Sequence, residues 1–167
     1  MDVFIEKIVA KKKKLEDNLI VGGLILAGFA AIIAVFSVPV LAGLGPLLAG
    51  AIIFGVFYLS KSRNIEFEYA VTNGELDIDK IIAQRKRKRI FSANCKDFEI
   101  VAKVQSEHYN ESIKQTAGKI DAASSIDSPG TYFALLNYKG VRTVVYFEPD
   151  QRMLNAFKTF NPRKVYE

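Results

Sequence analysis

The sequence predicts an α+β membrane protein: an N-terminal two-helix transmembrane hairpin, then an antiparallel β-rich domain that ends in one α-helix. Three observations predict it. Residues 18–60 are 43 consecutive positions without a charged side chain. From residue 65, several short segments alternate apolar and polar residues with period two. After Phe147 the spacing of apolar residues lengthens to that of a helix.

Residues 1–17 read as an amphipathic, basic helix. Val3, Phe4, Ile5, Ile8, Val9 and Leu15 recur near three-to-four spacing, with Glu6 and the run Lys11-Lys12-Lys13-Lys14 at other positions. Such a helix either lies in the membrane interface or extends the first span with a basic stop.

Residues 18–60 form the hairpin. A single helix of that length would run to about 64 Å, twice the roughly 30 Å of hydrocarbon it has to cross. Two spans, 18–37 and 41–60, fit better, with Pro39, Gly43, Gly45 and Pro46 marking the turn. Either proline suits the first turn of the second helix. A signal peptide has a far shorter apolar core, so the segment reads as retained. Gly23, Ala27 and Ala31 make a small-residue seam on the first span, and Ala51 with Gly55 a matching pair on the second, which suits close helix packing in lipid. Lysine and arginine (Lys11 to Lys14, Lys61 and Arg63) flank both outer ends, and the turn carries no charge. The positive-inside bias places both termini in the cytoplasm, with the chain multi-pass in the inner (plasma) membrane.

Residues 61–167 form the second domain. Ile65-Glu66-Phe67-Glu68-Tyr69 alternates as a half-buried strand does, and Asn73-Gly74 is a strong hairpin signal before a second alternating run, 75–82. Further strands are expected over 88–92, 98–104, 119–123, 131–138 and 141–147, with Lys139-Gly140 joining the last two. Residues 105–118 are polar and read as a mobile loop. Asp150 opens a helix whose face carries Met153, Leu154, Phe157 and Phe160, and Asn161-Pro162 ends it.

The segment Phe67-Glu68-Tyr69-Ala70-Val71-Thr72-Asn73-Gly74-Glu75-Leu76 resembles the opening hairpin of bacterial pleckstrin-homology-like (PH-like) domains. Residues 133–140 and Phe147-Glu148-Pro149 resemble the final hairpin and helix start of the same fold. In layout the whole chain is similar to a family of bacterial two-span membrane proteins with a C-terminal PH-like domain. The resemblance implies an antiparallel β-barrel of six or seven strands capped by the C-terminal α-helix. It brings no substrate and no catalytic residue. The loop between the first two strands, Thr72-Asn73-Gly74-Glu75, lacks the basic ligands by which eukaryotic PH domains hold phosphoinositides, so no lipid-binding residue carries over by position.

The most concentrated charge is Arg85-Lys86-Arg87-Lys88-Arg89, five positive charges in a domain whose net charge from residue 61 onward is +4. Such a run can bind anionic lipid headgroups, an acidic protein partner or nucleic acid, the last being the least favoured; it can also simply solvate a hairpin, with Arg85, Arg87 and Arg89 on one face and Lys86 and Lys88 on the other. Glu66, Glu68, Asp77 and Asp79 alternate on the neighbouring strands, as metal or acid–base groups or as cross-strand partners of the basic run, and the second reading is preferred. Cys95 and His108, each the single residue of its kind, form no internal disulfide and no usual zinc set. Ser124, Ser125 and Ser128 beside Pro129-Gly130 read as turn chemistry. No phosphate loop, nucleophile elbow or dinucleotide fingerprint occurs. The expectation is therefore a membrane-anchored binding module rather than an enzyme, with no cofactor and an unidentified protein or lipid partner. A small membrane-active protein that works through oligomerisation of its hairpin is the alternative.

Overall fold

A computed structural model describes residues 4–166. The chain forms two compact units, Lys13–Asn64 and a second made of Met1–Lys12 together with Ile65–Glu167.

The first unit holds α1 (Leu15–Ser37), the single turn α2 (Pro39–Ala42) and α3 (Gly45–Lys61). Pro39 and Pro46 each sit in the first turn of a helix, where a missing N–H costs nothing. Helix α1 is long and apolar enough to cross a membrane; α3 is a shorter apolar helix. Asp17 accepts from the Lys14 N–H at the start of α1, and its other oxygen lies 2.6 Å from Arg63, which follows α3. The two outer ends of the helix pair are thus tied by an ion pair.

The N-terminal segment is not a helix over its described residues: Phe4–Ala10 is a strand, β1, while 1–3 lie outside the described residues. In so short a window both periods fit the apolar positions, and pairing decided between them. β1 lies antiparallel beside β2 (Ile65–Thr72) from Phe4↔Thr72 to Ala10↔Glu66. Its Ile5 and Val9 turn into the core, while Phe4, Glu6 and Ile8 share the opposite face.

β3 (Glu75–Ile82) and β4 (Lys86–Asn94) complete a four-stranded sheet in the order β1-β2-β3-β4. The expected Asn73-Gly74 turn joins β2 to β3, with φ of 50° and 87°. The second sheet runs β5-β7-β8-β6, from β5 (Ile100–Lys103), β6 (Gly118–Asp121), β7 (Tyr132–Tyr138) and β8 (Val141–Phe147). Here too the expectation needs correcting. There are eight strands among the described residues, β6 runs parallel to β8, and no strand ladder closes the two sheets into a barrel. Gly118 permits the parallel approach, since a Cβ there would meet Thr143 Oγ1 at 2.2 Å.

The main core lies between the sheets and under α5 (Gln151–Phe160). Phe67, Tyr69, Leu76, Ile78 and Phe91 meet Leu136, Val145 and Phe147, and α5 contributes Met153, Leu154 and Phe157. Asp150 caps α5 by accepting from the Met153 N–H at 2.8 Å. The second sheet is buried on its other face as well. The segment expected to be a polar loop folds over it through α4 (Glu111–Lys114), placing Ile113 and Tyr109 on Phe133, Leu135 and Tyr146. Within that segment His108 stacks on Tyr166, with ring centroids 4.2 Å apart.

Candidate functional site

The charged groups of the first sheet are sorted by strand register. One face carries the row Ile8, Glu68, Asp79, Arg89, flanked by Glu6, Ala70, Asp77, Ser92 and by Ala10, Glu66, Ile81, Arg87. A register shift between Ile78 and Asp79 keeps Phe91 in the core while turning Arg89 outward to the acidic residues. Arg89 bonds Asp79 and lies 2.6 Å from Asp77; Arg87 lies 2.5 Å from Glu68. Cross-strand pairing is therefore what Glu68, Asp77 and Asp79 do, and two of the five charges of the basic run are committed to it. Glu66 instead accepts from Gln84 Nε2 at 3.3 Å.

The carboxylates are unequal. Glu68 is only 7 % exposed, and its Oε2 makes no hydrogen bond, so Arg87 compensates it by charge alone. Burial pushes its pKa above the ordinary value and Glu6 adds to that, against the pull of Arg87. The hydrogen bond that Arg89 donates to the Asp79 carboxylate, together with Asp77, holds its guanidinium firmly charged. Cys95 is fully buried, and burial pushes its thiol up to about 12, which leaves it inert as a nucleophile at neutral pH.

The opposite face of the same strands carries a different set. There Val9, Phe67, Lys80 and Lys88 form one row, and Ile65, Ile82 and Lys86 the next. Arg85 stands in the turn before β4. Lys80 belongs to this group but escaped the sequence reading, because it sits outside the basic run. The alternation of residues 75–82, combined with the hairpin register, is the signal that finds it.

The remaining basic candidates are scattered in role. Lys11 pairs with Asp121 at 3.3 Å, Lys12 to Lys14 are exposed, and Lys61 lies over the Phe57 ring at 4.6 Å. The expected helix seam is displaced. Gly28, not Gly23, makes the close approach, where a Cβ would stand 2.7 Å from Val56 Cγ2. Gly23 and Gly55 have nothing within 4 Å of such a Cβ, Ala27 and Ala51 are exposed, and Ala31 is half-buried. The shift by one residue, from Ala27 to Gly28, was invisible to spacing alone, because small residues occupy several adjacent positions.

Ser125 and Ser128 serve the turn expected of them: the Ser128 N–H donates to Ser125 O, and the Ser125 carbonyl accepts from the Thr131 hydroxyl. The Ser124 N–H donates to Glu148 Oε1 at 2.8 Å.

Two sheets with a C-terminal helix packed into their shared core define a PH-like domain, here with an apolar helix pair inserted after its first strand. The family model for the bacterial PH-like domain (DUF6106) matches residues 1–167, and the chain belongs to that family. Neither a curated protein nor a solved structure matches it.

Proposed function

We propose that the protein is a membrane-anchored binding or scaffold module, which crosses the bilayer twice and holds its PH-like domain at the cytoplasmic surface of the cell membrane. The observation that carries this reading is the pairing of β1 with β2. The whole apolar segment is inserted between these two hydrogen-bonded strands, and the Lys11 N–H donates to Ile65 O at 2.9 Å just where the chain leaves and re-enters the sheet. Strands on opposite sides of about 30 Å of hydrocarbon cannot pair. An apolar segment that enters the bilayer must therefore cross it an even number of times.

Helix lengths agree with two crossings. α1 has 23 residues and α3 has 17, or about 34 and 26 Å at 1.5 Å per residue. The lysines and arginines beside both outer ends favour the cytoplasmic side for both termini. A tightly packed domain with a charged sheet face suits binding rather than chemistry.

Topology mapping tests the reading. Tags at either terminus should be shielded from a membrane-impermeant reagent in intact cells, and a tag in the turn at Gly43 should be reached. Termini on opposite sides, or release of the protein by alkaline carbonate, would sink it.

A further inference from the structure

We infer that the tip of the β3–β4 hairpin is a second, electrostatic membrane contact: Lys80, Arg85, Lys86 and Lys88 engage the phosphate headgroups of an anionic bilayer. The inference rests on the membrane-anchored reading above and goes beyond it by naming which residues meet which ligand.

The first observation is a division of labour within the basic run. Arg87 and Arg89 are held by Glu68, Asp77 and Asp79 on one face. Lys80, Arg85, Lys86 and Lys88 form no ion pair among the described residues. Lys80 and Lys88 are direct cross-strand partners, and Lys86 follows two residues before Lys88 on the same face. Like charges directly opposite one another destabilise a sheet. Nothing in the described fold repays that repulsion, whereas an external anion does.

The second observation selects the anion. The register Ile65↔Ile82 and Ile82↔Lys86 puts the basic tip at the end of the sheet where β2 begins. That is the end from which the chain runs, through Ser62, Arg63 and Asn64 alone, into the apolar helix α3. Neighbouring strands are about 4.8 Å apart, so Lys86 lies roughly 10 Å across the sheet from Ile65. With α3 in a bilayer, so short a connection keeps this end of the sheet near the headgroups. An acidic protein would have no reason to favour this end. The half-buried Ile81 and Ile82 beside the turn add apolar surface suited to the interface.

The full-length chain tests the inference. Gln84→Cys places a label at the exposed tip, and Cys95, being buried, does not compete for it. The labelled protein is reconstituted into vesicles of phosphatidylcholine alone, or of phosphatidylcholine with phosphatidylglycerol, each carrying a headgroup quencher. Quenching should rise with phosphatidylglycerol and collapse at about 1 M salt, where the screening length falls to about 3 Å. Neutralising any one of the four residues, as in Lys86→Gln, should lower the docked-to-free ratio about fivefold. Arg87→Gln with Glu68→Gln removes a cation together with its carboxylate, leaves the net charge unchanged and should leave that ratio within about twofold.

Quenching that ignores lipid charge overturns the inference. So does displacement of the tip by soluble polyglutamate at concentrations where phosphatidylglycerol has no effect, which would assign it to an acidic protein. Resistance to alkaline carbonate, scored on the same samples, separates failure of this contact from failure of the anchor.

Discussion

The buried Tyr69 hydroxyl donates to the Ala122 carbonyl oxygen at 2.5 Å and accepts from the Glu148 N–H at 3.3 Å. One phenol thereby ties β2 of the first sheet to the segment after β6 and to the end of β8 in the second. No strand ladder does this work among the described residues, so side-chain and terminal contacts of this kind join the sheets. The Lys7 ammonium, bonded to Glu148 O at 2.8 Å, is another. Burial raises the Tyr69 pKa far above its usual range and keeps the hydroxyl protonated as a donor.

Tyr69→Phe keeps the ring and leaves Ala122 O and Glu148 N–H without their partner. The cost should be about 1–3 kcal/mol, because buried groups left unpaired forfeit their solvation. Denaturant unfolding of the detergent-solubilised chain should show a lower midpoint with an unchanged slope. An unmoved midpoint would mean that the phenol does not join the sheets.

The turn between β3 and β4 predicts a gain. Ala83 and Gln84 have φ of 53° and 57°, a left-handed conformation costing L-residues roughly 1–2 kcal/mol each. Replacing the pair by Asn-Gly, which suits two successive positive φ angles, should stabilise the chain by about 1 kcal/mol. A lower melting temperature in the double variant would contradict the turn geometry.

That same turn shows where sequence reading reaches its limit. Asn73-Gly74 and Lys139-Gly140 announce their turns because glycine and asparagine tolerate positive φ, and both turns are present. Ala83-Gln84 adopts a similar backbone without any such residue, so nothing local marked it. The α5 face was legible from periodicity: Met153, Leu154 and Phe157 recur at the period that burial requires. β1 was not, because its strand character comes from β2, which begins 55 positions after β1 ends, across the apolar insert. The covering of the second sheet by Tyr109 and Ile113 was hidden too, since two apolar residues in a polar segment carry no period. At the candidate site, alternation correctly divided Arg87 and Arg89 from Lys86 and Lys88, but it grouped Arg85 with the arginines, whereas Arg85 stands in the turn before β4. Only the register revealed that the arginines are paired and that Lys80 joins the lysines.

Glu68 predicts a pH dependence. Its folded carboxyl, pushed up first by burial, ionises at a higher pH than the ordinary 4.5 of an unfolded chain. As pH rises through that interval the unfolded chain loses its proton first, so this group's contribution to stability falls. Glu68→Gln removes the ionisation. The variant should be at least as stable as the parent at pH 7, with an advantage that shrinks as the pH is lowered toward 4.5. Asp150 acts in the opposite sense but in a different range. Burial alone would raise its pKa, yet the Met153 N–H and Arg152 outweigh burial and hold it below the ordinary 3.8. Its contribution is lost only as the pH falls below that value, leaving the Glu68 interval clear. A stability difference that is flat between pH 4.5 and 7 would refute the assignment.

The helix pair offers a contrast between neighbouring glycines. Gly28 faces Val56 so closely that a Cβ would stand 2.7 Å from Val56 Cγ2, with Ile52 Cγ2 at 3.6 Å. Valine has one strongly preferred rotamer in a helix, so Val56 cannot swing aside without strain. Gly28→Val should therefore separate α1 from α3 and cost about 1–3 kcal/mol. Gly23→Val, at a position with nothing within 4 Å, should change stability by less than about 0.5 kcal/mol. Adding Val56→Ala to Gly28→Val reopens the space and should recover much of the loss, whereas the same addition to Gly23→Val should recover none. That non-additivity is the signature of direct contact. Equal effects of the two valines, or strict additivity in both pairs, would show that α1 and α3 do not meet at Gly28.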